Sequence, residues 1–347
     1  TYDDKHFFLD FYSRHFREDN IKNAAPEIRK WPFILKIRQA VWIVSAIVWF
    51  CVNFFFYEVG YRLGSDSLGR YNSDDGLEKL QKYVNCTEIK RKAVLGIDIY
   101  KYSSYEEFAQ TLVPCMFKLL FRETIERCFK YHAFLFQKYT KIEFEENFIS
   151  TGDGGYVIFD TPLHALIFAC NFAIVLRTYN SYHLYPKLRK IVGGASVRYA
   201  ITYDKLYYFD KSHYGRAIIN NARILSKDTL NRCIIDQNVY DWFTLNIDGM
   251  ENLQLITIDD ITNIYEFQGS YDNQILDEQS DIIFGHSISR ETGIINSDVL
   301  KIGEIHSKEA NISVYNIHLQ IVSRWQRGES ERMITVSLGN LNTTSLV

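Results

Sequence analysis

The sequence has no excess of basic residues. Its 39 Lys and Arg residues are balanced by 42 Asp and Glu residues, which gives a net charge of -3. Proteins that bind nucleic acid through the phosphate backbone present a basic surface, and no such surface is evident from this composition. We therefore expect no nucleic-acid partner, whereas a small phosphorylated ligand is compatible with the charge.

The sequence also lacks C-x-x-C motifs and cysteine–histidine clusters at zinc spacing. Its six cysteines are scattered, which is typical of reduced and mostly buried thiols in a cytosolic domain. Low-complexity tracts are absent as well. With 47% hydrophobic and 23% charged residues, the chain of 347 residues is expected to bury a real core, in about two domains with an additional segment.

Long hydrophobic runs are scarce, with one exception at residues 40–57. This stretch reads AVWIVSAIVWFCVNFFFY and has only Ser45 and Asn53 as polar residues. At about 1.5 Å per helical residue, it is just long enough to cross a hydrocarbon core of about 30 Å. Two interpretations stay open, namely a helix that contacts a membrane and a helix that is buried or packs in a dimer.

The composition of the chain changes twice more along its length. Turn-forming residues between 64 and 75 follow the apolar stretch and indicate a linker. We expect an N-terminal helical region over 1–90, a central domain over 91–269 and a β-rich extension of unknown role over 270–347.

Two short segments of the central domain predict strands that end in acidic residues. The run AVLGIDI, from Ala93 to Ile99, is nearly all apolar, as in a central strand that is buried on both faces. Glu145 to Asp160 predicts two extended segments around a Gly-Asp-Gly-Gly turn, because glycine accepts positive φ. The first strand would carry Asp98 at its end, and the hairpin would carry its acidic residue at the tip.

The remaining elements of the domain alternate between helix and strand. A helix is predicted to begin at Thr161-Pro162, a capping residue followed by proline at the first helical position. A strand over Ser196 to Tyr203 and a helix over Gly215 to Lys227 follow. This order predicts an α+β fold in which helices cover one sheet.

The acidic residues at the two strand ends, Asp98 and Asp153, predict a metal site if they converge on one edge of the sheet. Carboxylate oxygens suit Mg²⁺ or Mn²⁺, and two such ions can activate an attacking oxygen and stabilise a leaving phosphate. Each aspartate by itself is equally typical of a cap or a solvated turn. The prediction therefore depends on the pair.

Four segments, in order, are KAVLGIDIYKYS, FISTGDGGYVIFDTPLHAL, SVRYAITY and FDKSHYGRAIINNARI. They resemble the catalytic domain of class III adenylate/guanylate cyclases, from about Ala93 to Phe267. The resemblance implies a ferredoxin-like domain with an antiparallel sheet covered by helices. It also implies that Asp98, the backbone carbonyl of Ile99 and Asp153 hold two Mg²⁺ or Mn²⁺ ions at a nucleoside triphosphate.

The fourth of these segments contains an arginine at a position that the family uses in catalysis. Eight residues after Gly215 lies Arg223, where the family has an arginine that stabilises charge on the pentavalent phosphorus. A guanidinium group fits phosphate oxygens in this role. Family sites form across a head-to-tail pair of domains, so the resemblance also implies a homodimer with shared active sites.

Several positions depart from the family pattern. The two positions that read a purine base hold Ile149, which cannot hydrogen-bond a base, and Ser212, whose hydroxyl can donate or accept. Ile219 replaces the ribose-contacting asparagine, and Asn220 beside it can substitute only if the helix is rotated. Lys101 replaces a glycine and points either to the triphosphate or to solvent.

In lacking the purine-reading side chains, the sequence resembles the cyclases of bacterial anti-phage Pycsar systems, which make cyclic CMP or cyclic UMP. The resemblance implies CTP or UTP as substrate, a cytoplasmic catalytic domain and a downstream effector that binds the cyclic nucleotide. An adenylate or guanylate cyclase in ordinary signalling and a non-catalytic cyclase-like dimerisation domain stay open. A polymerase-like nucleotidyltransferase is disfavoured, because the chain lacks a basic surface for a template.

Overall fold

The computed structural model describes most of the chain after residue 88. The described residues are 89–209, 212–247, 249–250, 253, 293–306, 311–327, 330–342 and 344–346. They all belong to one unit, Asn85–Val347. The apolar stretch 40–57, the expected linker and the expected boundary at 269/270 lie outside these residues.

The described residues form helices and strands in an order close to the predicted one. The helices are α1 Glu107–Tyr131, α2 Ala133–Phe136, α3 Lys141–Glu146, α4 Pro162–Asn180, α5 Pro186–Val192, α6 Arg216–Lys227 and α7 Gln237–Asn246. The strands are β1 Lys90–Ile99, β2 Phe148–Ser150, β3 Gly154–Phe159, β4 Val197–Phe209, β5 Ser212–Gly215, β6 Cys233–Asp236, β7 Gly293–His306, β8 Asn311–Arg327 and β9 Ser330–Leu338.

Within the described part of the chain, all strands join one sheet in the order β2-β3-β1-β4-β6-β8-β7, with β5 on β4 and β9 on β8. Strands β1 to β4 and the helices between them form a βαββαβ unit in which β1 pairs antiparallel with both β3 and β4. The pairing of β4 with β6 is parallel. The predicted α+β class and the β-rich C-terminal part are therefore confirmed, and β7 to β9 extend the same sheet.

Helices α1, α4 and α7 cover one face of the sheet and form the main hydrophobic core with it. As predicted, Thr161 caps the start of α4 and Pro162 is its first residue. The Thr161 hydroxyl accepts a hydrogen bond from the His164 amide at 3.4 Å. The helix is buried on nearly all sides rather than along one stripe. By length and composition α4 would pass as a membrane span, but 94% of its most apolar window is buried inside the protein, as in a core helix.

Helix α6 covers part of the opposite face. Its buried residues recur at helical spacing, and they face β1 and β4. The contact is close at Gly96, where an added Cβ would lie 2.1 Å from Oδ1 of Asn221. Glycine in β1 is therefore what allows α6 to lie this near the sheet.

A second hydrophobic cluster joins α6 to the C-terminal strands. It contains residues of α6, β4, β6, β7 and β8 together with one residue near the C-terminal end, and its members are Ala200, Ile224, Leu225, Ile234, Ile302, Ile305, Ile312, Val314 and Leu346. The described C-terminal residues are therefore part of the packing around α6.

Asp236 is a buried carboxylate at the start of α7. It caps the helix by accepting a hydrogen bond from the Val239 amide at 3.0 Å. Burial raises the pKa of Asp236 to about 7, and the charges of Asp204 and Asp241 contribute in the same direction. The folded state thus favours the neutral carboxyl, and this contribution to stability is lost as the pH rises through 7.

We predict that Asp236→Asn flattens the pH dependence of stability. Between pH 4 and pH 8 the free energy of unfolding of the wild type should fall by about 4 kcal/mol more than that of the variant, because a pKa difference of about 3 units is worth about 1.4 kcal/mol per unit. Urea unfolding at each pH measures this. Glu146→Gln, at an exposed carboxylate of α3, is the control, and parallel curves for wild type and Asp236→Asn would contradict the prediction.

Candidate active site

The strand pairing places Asp98 and Asp153 next to each other. Asp98 lies opposite Gly154 in the register of β1 and β3, and the Ile99 amide donates to the Asp153 carbonyl oxygen at 3.2 Å. A Cβ on Gly154 would lie 2.1 Å from the carbonyl oxygen of Ile97. Glycine at this position therefore permits the close approach of the two strands that carry the aspartates.

Both aspartates line one cavity of about 210 Å³ on the side of the sheet that α6 covers. The residues around it come from β1, the β2–β3 turn, β3, β4 and the end of α6, and they are Ile97, Asp98, Thr151, Asp153, Gly155, Tyr156, Arg198, Leu225 and Ser226. The sequence-based prediction that the two acidic residues converge is thus fulfilled in the structure.

The electrostatics of this cavity suit a divalent cation. Burial raises the pKa of the Asp153 carboxyl, the negative charge of Asp98 raises it further, and Arg198 acts in the opposite direction. A carboxylate whose ionised form is disfavoured by burial and by a neighbouring negative charge gains from a cation placed beside it. Among the described residues, no group of three or more His, Cys, Asp and Glu side chains is placed to hold a metal ion.

A pair of carboxylates is nevertheless a suitable protein contribution for Mg²⁺ or Mn²⁺ at a nucleotide. Mg²⁺ in such sites is bound through one or two carboxylates, while substrate phosphates and water supply the other ligands. Asp98 and Asp153 provide such a pair at one cavity. The residues present therefore fit the ions that the sequence predicts.

Arg198 is a residue of the cavity that the sequence analysis did not single out. It lies directly opposite Asp98 in the register of β4 and β1, and its Nε donates to Asp98 Oδ2 at 2.9 Å. Its Nη2 binds the same oxygen, and its Nη1 donates to the Asp228 carbonyl oxygen at 2.5 Å. Asp98 therefore has one carboxylate oxygen paired with a cation in this structure.

Ile149 occupies the position of the first purine-reading residue, and both its side chain and its surroundings are apolar. Ile149 pairs with Tyr156 across β2 and β3. Both residues and Ile218 of α6 pack against a small hydrophobic cluster formed by Val94, Ile158, Leu206 and Ala217. Tyr156 also lines the cavity, and burial together with the charge of Asp98 raises the pKa of its hydroxyl.

Five other predicted site residues do not line this cavity. One is Ile99, which is buried in the main core and whose amide donates to the Asp153 carbonyl oxygen. Arg223 and Asn220 are half-buried on α6, whereas the residues of α6 at the cavity are Leu225 and Ser226. Ser212 is exposed at the start of β5. Lys101 is exposed at φ 56° after β1, with its ammonium 5.1 Å from the centre of the Tyr100 ring.

The rotation of α6 turns Asn221, and not Asn220, toward the sheet. The Asn221 amide nitrogen donates to the carbonyl oxygens of Val94 at 2.8 Å and Ala200 at 2.9 Å, and it lies 3.3 Å from the Thr202 hydroxyl. Asn221 thus ties the helix to β1 and β4. Asn220 lies on a more exposed part of the helix.

Comparisons with solved structures return bacterial nucleotide cyclases. An adenylate/guanylate cyclase/hydrolase from Silicibacter pomeroyi is 16% identical with a TM-score of 0.37, and the match covers 66% of this chain and 97% of that one. The adenylyl cyclase CyaB from P. aeruginosa is 12% identical with a TM-score of 0.38, and the match covers 70% and 97%. The guanylyl cyclase Cya2 is 11% identical with a TM-score of 0.35, and the match covers 66% of this chain and 92% of that one.

Comparisons of sequence give no such match. No protein-family model matches the chain, and no curated protein shows significant similarity to it. The functional assignment therefore rests on the residues of the cavity.

We predict that the neighbours Asn220 and Asn221 respond differently to substitution. Asn221→Ala should lower the free energy of unfolding by about 2–4 kcal/mol, because it leaves two buried carbonyl groups without their donor. Asn220→Ala should change it by less than about 0.5 kcal/mol, as at an ordinary surface position. Denaturant unfolding of both variants is the measurement, and equal effects would contradict the placement of α6.

Proposed function

We propose that this chain is a nucleotide cyclase that depends on divalent metal ions. The observation that carries the proposal is the placement of Asp98 and Asp153 side by side in one cavity, by strand pairing and a backbone hydrogen bond. Two like charges in such proximity cost free energy unless a cation binds between them. Two Mg²⁺ or Mn²⁺ ions, when bound, would supply activation of an attacking hydroxyl and neutralise the triphosphate.

In the proposed reaction the ribose 3′-oxygen attacks the α-phosphorus of a nucleoside triphosphate. A bond from the 3′-oxygen to phosphorus forms, the bond to the bridging oxygen breaks, and diphosphate leaves with that electron pair while the proton of the hydroxyl passes to solvent water. Asp98 and Asp153 would hold the ions, and Arg198 holds the Asp98 carboxylate through Oδ2. Leu225 contributes an apolar side chain to the cavity, whereas Ile97 packs into the main core.

The position of Arg223 supports a shared active site in a homodimer. Arg223 lies outside the cavity that Asp98 and Asp153 line in the same chain. In a head-to-tail pair, the cavity of one protomer would receive Arg223 and Asn220 from its partner, and the guanidinium would stabilise charge on the phosphorus. Lys101 and Ser212 are proposed to contact the triphosphate and the base.

The surroundings of Ile149 support a pyrimidine nucleotide as substrate. Ile149, which packs with Tyr156 and Ile218 on one hydrophobic cluster, is apolar at the position where the resemblance places a base-reading polar side chain in the purine enzymes. A site without these groups gives up the interactions that favour adenine or guanine over other bases. We therefore propose CTP or UTP as substrate, and anti-phage signalling through an effector that binds the cyclic product.

One observation favours a second candidate function. Arg198 pairs with Asp98 as a structural ion pair would, which is compatible with a cyclase-like dimerisation domain that does not turn over nucleotide. Such a domain has no need for Asp153 beside the pair, where its charge is unfavourable. An adenylate or guanylate cyclase is the remaining alternative, and its products distinguish it directly.

We predict that the purified protein with Mn²⁺ converts CTP or UTP to its cyclic monophosphate and diphosphate. Asp153→Ala should lower the rate by about 100-fold or more, since metal ions supply several kcal/mol of transition-state stabilisation. Asp241→Ala, at an exposed aspartate on α7, is the control and should retain the wild-type rate. Separate incubations with the four ribonucleotides, followed by chromatography, measure this.

Two results of this assay would reject parts of the proposal. Turnover of only ATP or GTP would reject the pyrimidine assignment. The dimerisation domain would be favoured by two results together. The protein would turn over none of the four nucleotides, and the Asp153→Ala variant would have the same biological effect in cells as the wild type.

A further inference from the structure

Arg198 is held from two sides. One side is the Asp98 carboxylate, and the other is the Asp228 carbonyl oxygen, which accepts from Arg198 Nη1 at 2.5 Å. Asp228 follows the last residue of α6, and its amide donates to the Ile224 carbonyl oxygen at 3.0 Å. The position of Arg198 therefore depends on the turn that ends α6.

This turn is fixed by a buried ion pair. Asp228 and Arg232 are each 1% exposed, and Arg232 Nε donates to Asp228 Oδ1 at 2.9 Å. The same carboxylate oxygen accepts from the Leu230 amide at 3.1 Å. A buried carboxylate in such a pair is costly to leave without its cation, so the conformation of the turn depends on Arg232.

Arg232 in turn binds the C-terminal segment, by which we mean residues 340–342 and 344–346. Its Nη1 donates to the Thr344 carbonyl oxygen at 2.5 Å and lies 3.4 Å from that of Asn342. The Asn316 side chain of β8 donates to the Asn340 carbonyl oxygen at 2.8 Å, and the Asn340 side chain donates to Asn231 at 2.8 Å. The C-terminal segment is thus bound to the turn and to the sheet by specific hydrogen bonds.

The C-terminal segment also contacts α6 through apolar packing. Leu346 is 7% exposed in the cluster that includes Ile224 and Leu225, and Leu225 lines the cavity with the two aspartates. In contrast, Leu341 in the same segment is 61% exposed. One leucine of the segment therefore packs on the helix, and the other faces solvent.

We propose that the C-terminal segment positions the candidate active site, with Arg232 as the positioning residue. The segment fixes Arg232, Arg232 fixes the Asp228 turn, and the turn fixes the arginine that orients the Asp98 carboxylate. The inference rests on the proposed function only in that it treats Asp98 as a metal ligand. When the segment is released, the guanidinium of Arg198 stays in the cavity, but its contact with the Asp228 carbonyl oxygen is lost. We therefore expect a changed orientation of the Asp98 carboxylate with little change in the charge of the cavity.

The test compares Leu346→Asp, which introduces a charge into the buried cluster, with Leu341→Asp, which introduces the same charge at an exposed position of the same segment. Amide hydrogen exchange is measured over residues 96–101 and 196–200 by mass spectrometry. Leu346→Asp should raise exchange in both regions by about 10-fold, and Leu341→Asp should stay within about 2-fold of the wild type.

A kinetic measurement separates positioning from a general loss of folded protein. In Leu346→Asp the half-saturating Mn²⁺ concentration should rise about 10-fold, with turnover largely recovered at saturating Mn²⁺, because the ligand is misoriented and still present. A merely structural role would lower turnover and leave the half-saturating concentration unchanged. That outcome would overturn the proposal.

Arg232→Lys provides a second variant that keeps the charge. An ammonium group cannot donate to Asp228 and to both backbone carbonyls of the segment in the planar geometry of a guanidinium, so the same changes are expected at smaller size. This variant takes over the measurement if Leu346→Asp shows no cooperative unfolding transition. Unchanged exchange over 96–101 and 196–200 in a variant whose C-terminal segment exchanges freely would overturn the proposal, even if the wild type turns over no nucleotide.

Discussion

Strand β1 approaches β3 so closely beside Asp98 that the facing residue has to be glycine. The Cβ of any other residue at position 154 would lie 2.1 Å from a backbone oxygen of β1. This contact, together with the hydrogen bond from the Ile99 amide to the Asp153 carbonyl, brings the end of a central strand and the tip of a hairpin into one cavity. The proximity of the two carboxylates and the need for a counter-charge both follow from this pairing.

The negative charge of Asp98 disfavours ionisation of Asp153, and a cationic side chain on the neighbouring strand β4 opposes this effect. Arg198 lies opposite Asp98 on β4, and its guanidinium counteracts the unfavourable effect of Asp98 on ionisation of Asp153. The arginine is itself anchored at the end of α6, near the cluster that contains Leu346. The arginine that offsets the negative charge in the cavity and the C-terminal strands therefore both contact α6 or the residue that follows it.

Local patterns in the sequence were sufficient to predict the strands, the turn and the helix start that surround the two aspartates. The apolar run before Asp98, the glycines around Asp153 and the Thr161-Pro162 helix start each depend on neighbouring residues, and the structure has them as predicted. The pairing of Arg198 with Asp98 joins residues 100 positions apart in an antiparallel register, and no local pattern specifies such a register. Tertiary packing also decides that Asn221 faces the sheet and that β7 to β9 join it.

We propose that Asp98 and Asp153 together bind divalent ions at a nucleoside triphosphate. Crystals grown with Mn²⁺ and a non-hydrolysable CTP analogue would test it through the anomalous scattering of manganese. We expect anomalous peaks at about 2 Å from carboxylate oxygens of both Asp98 and Asp153. A bound triphosphate with no anomalous peak between these two residues, or manganese bound only elsewhere, would contradict it.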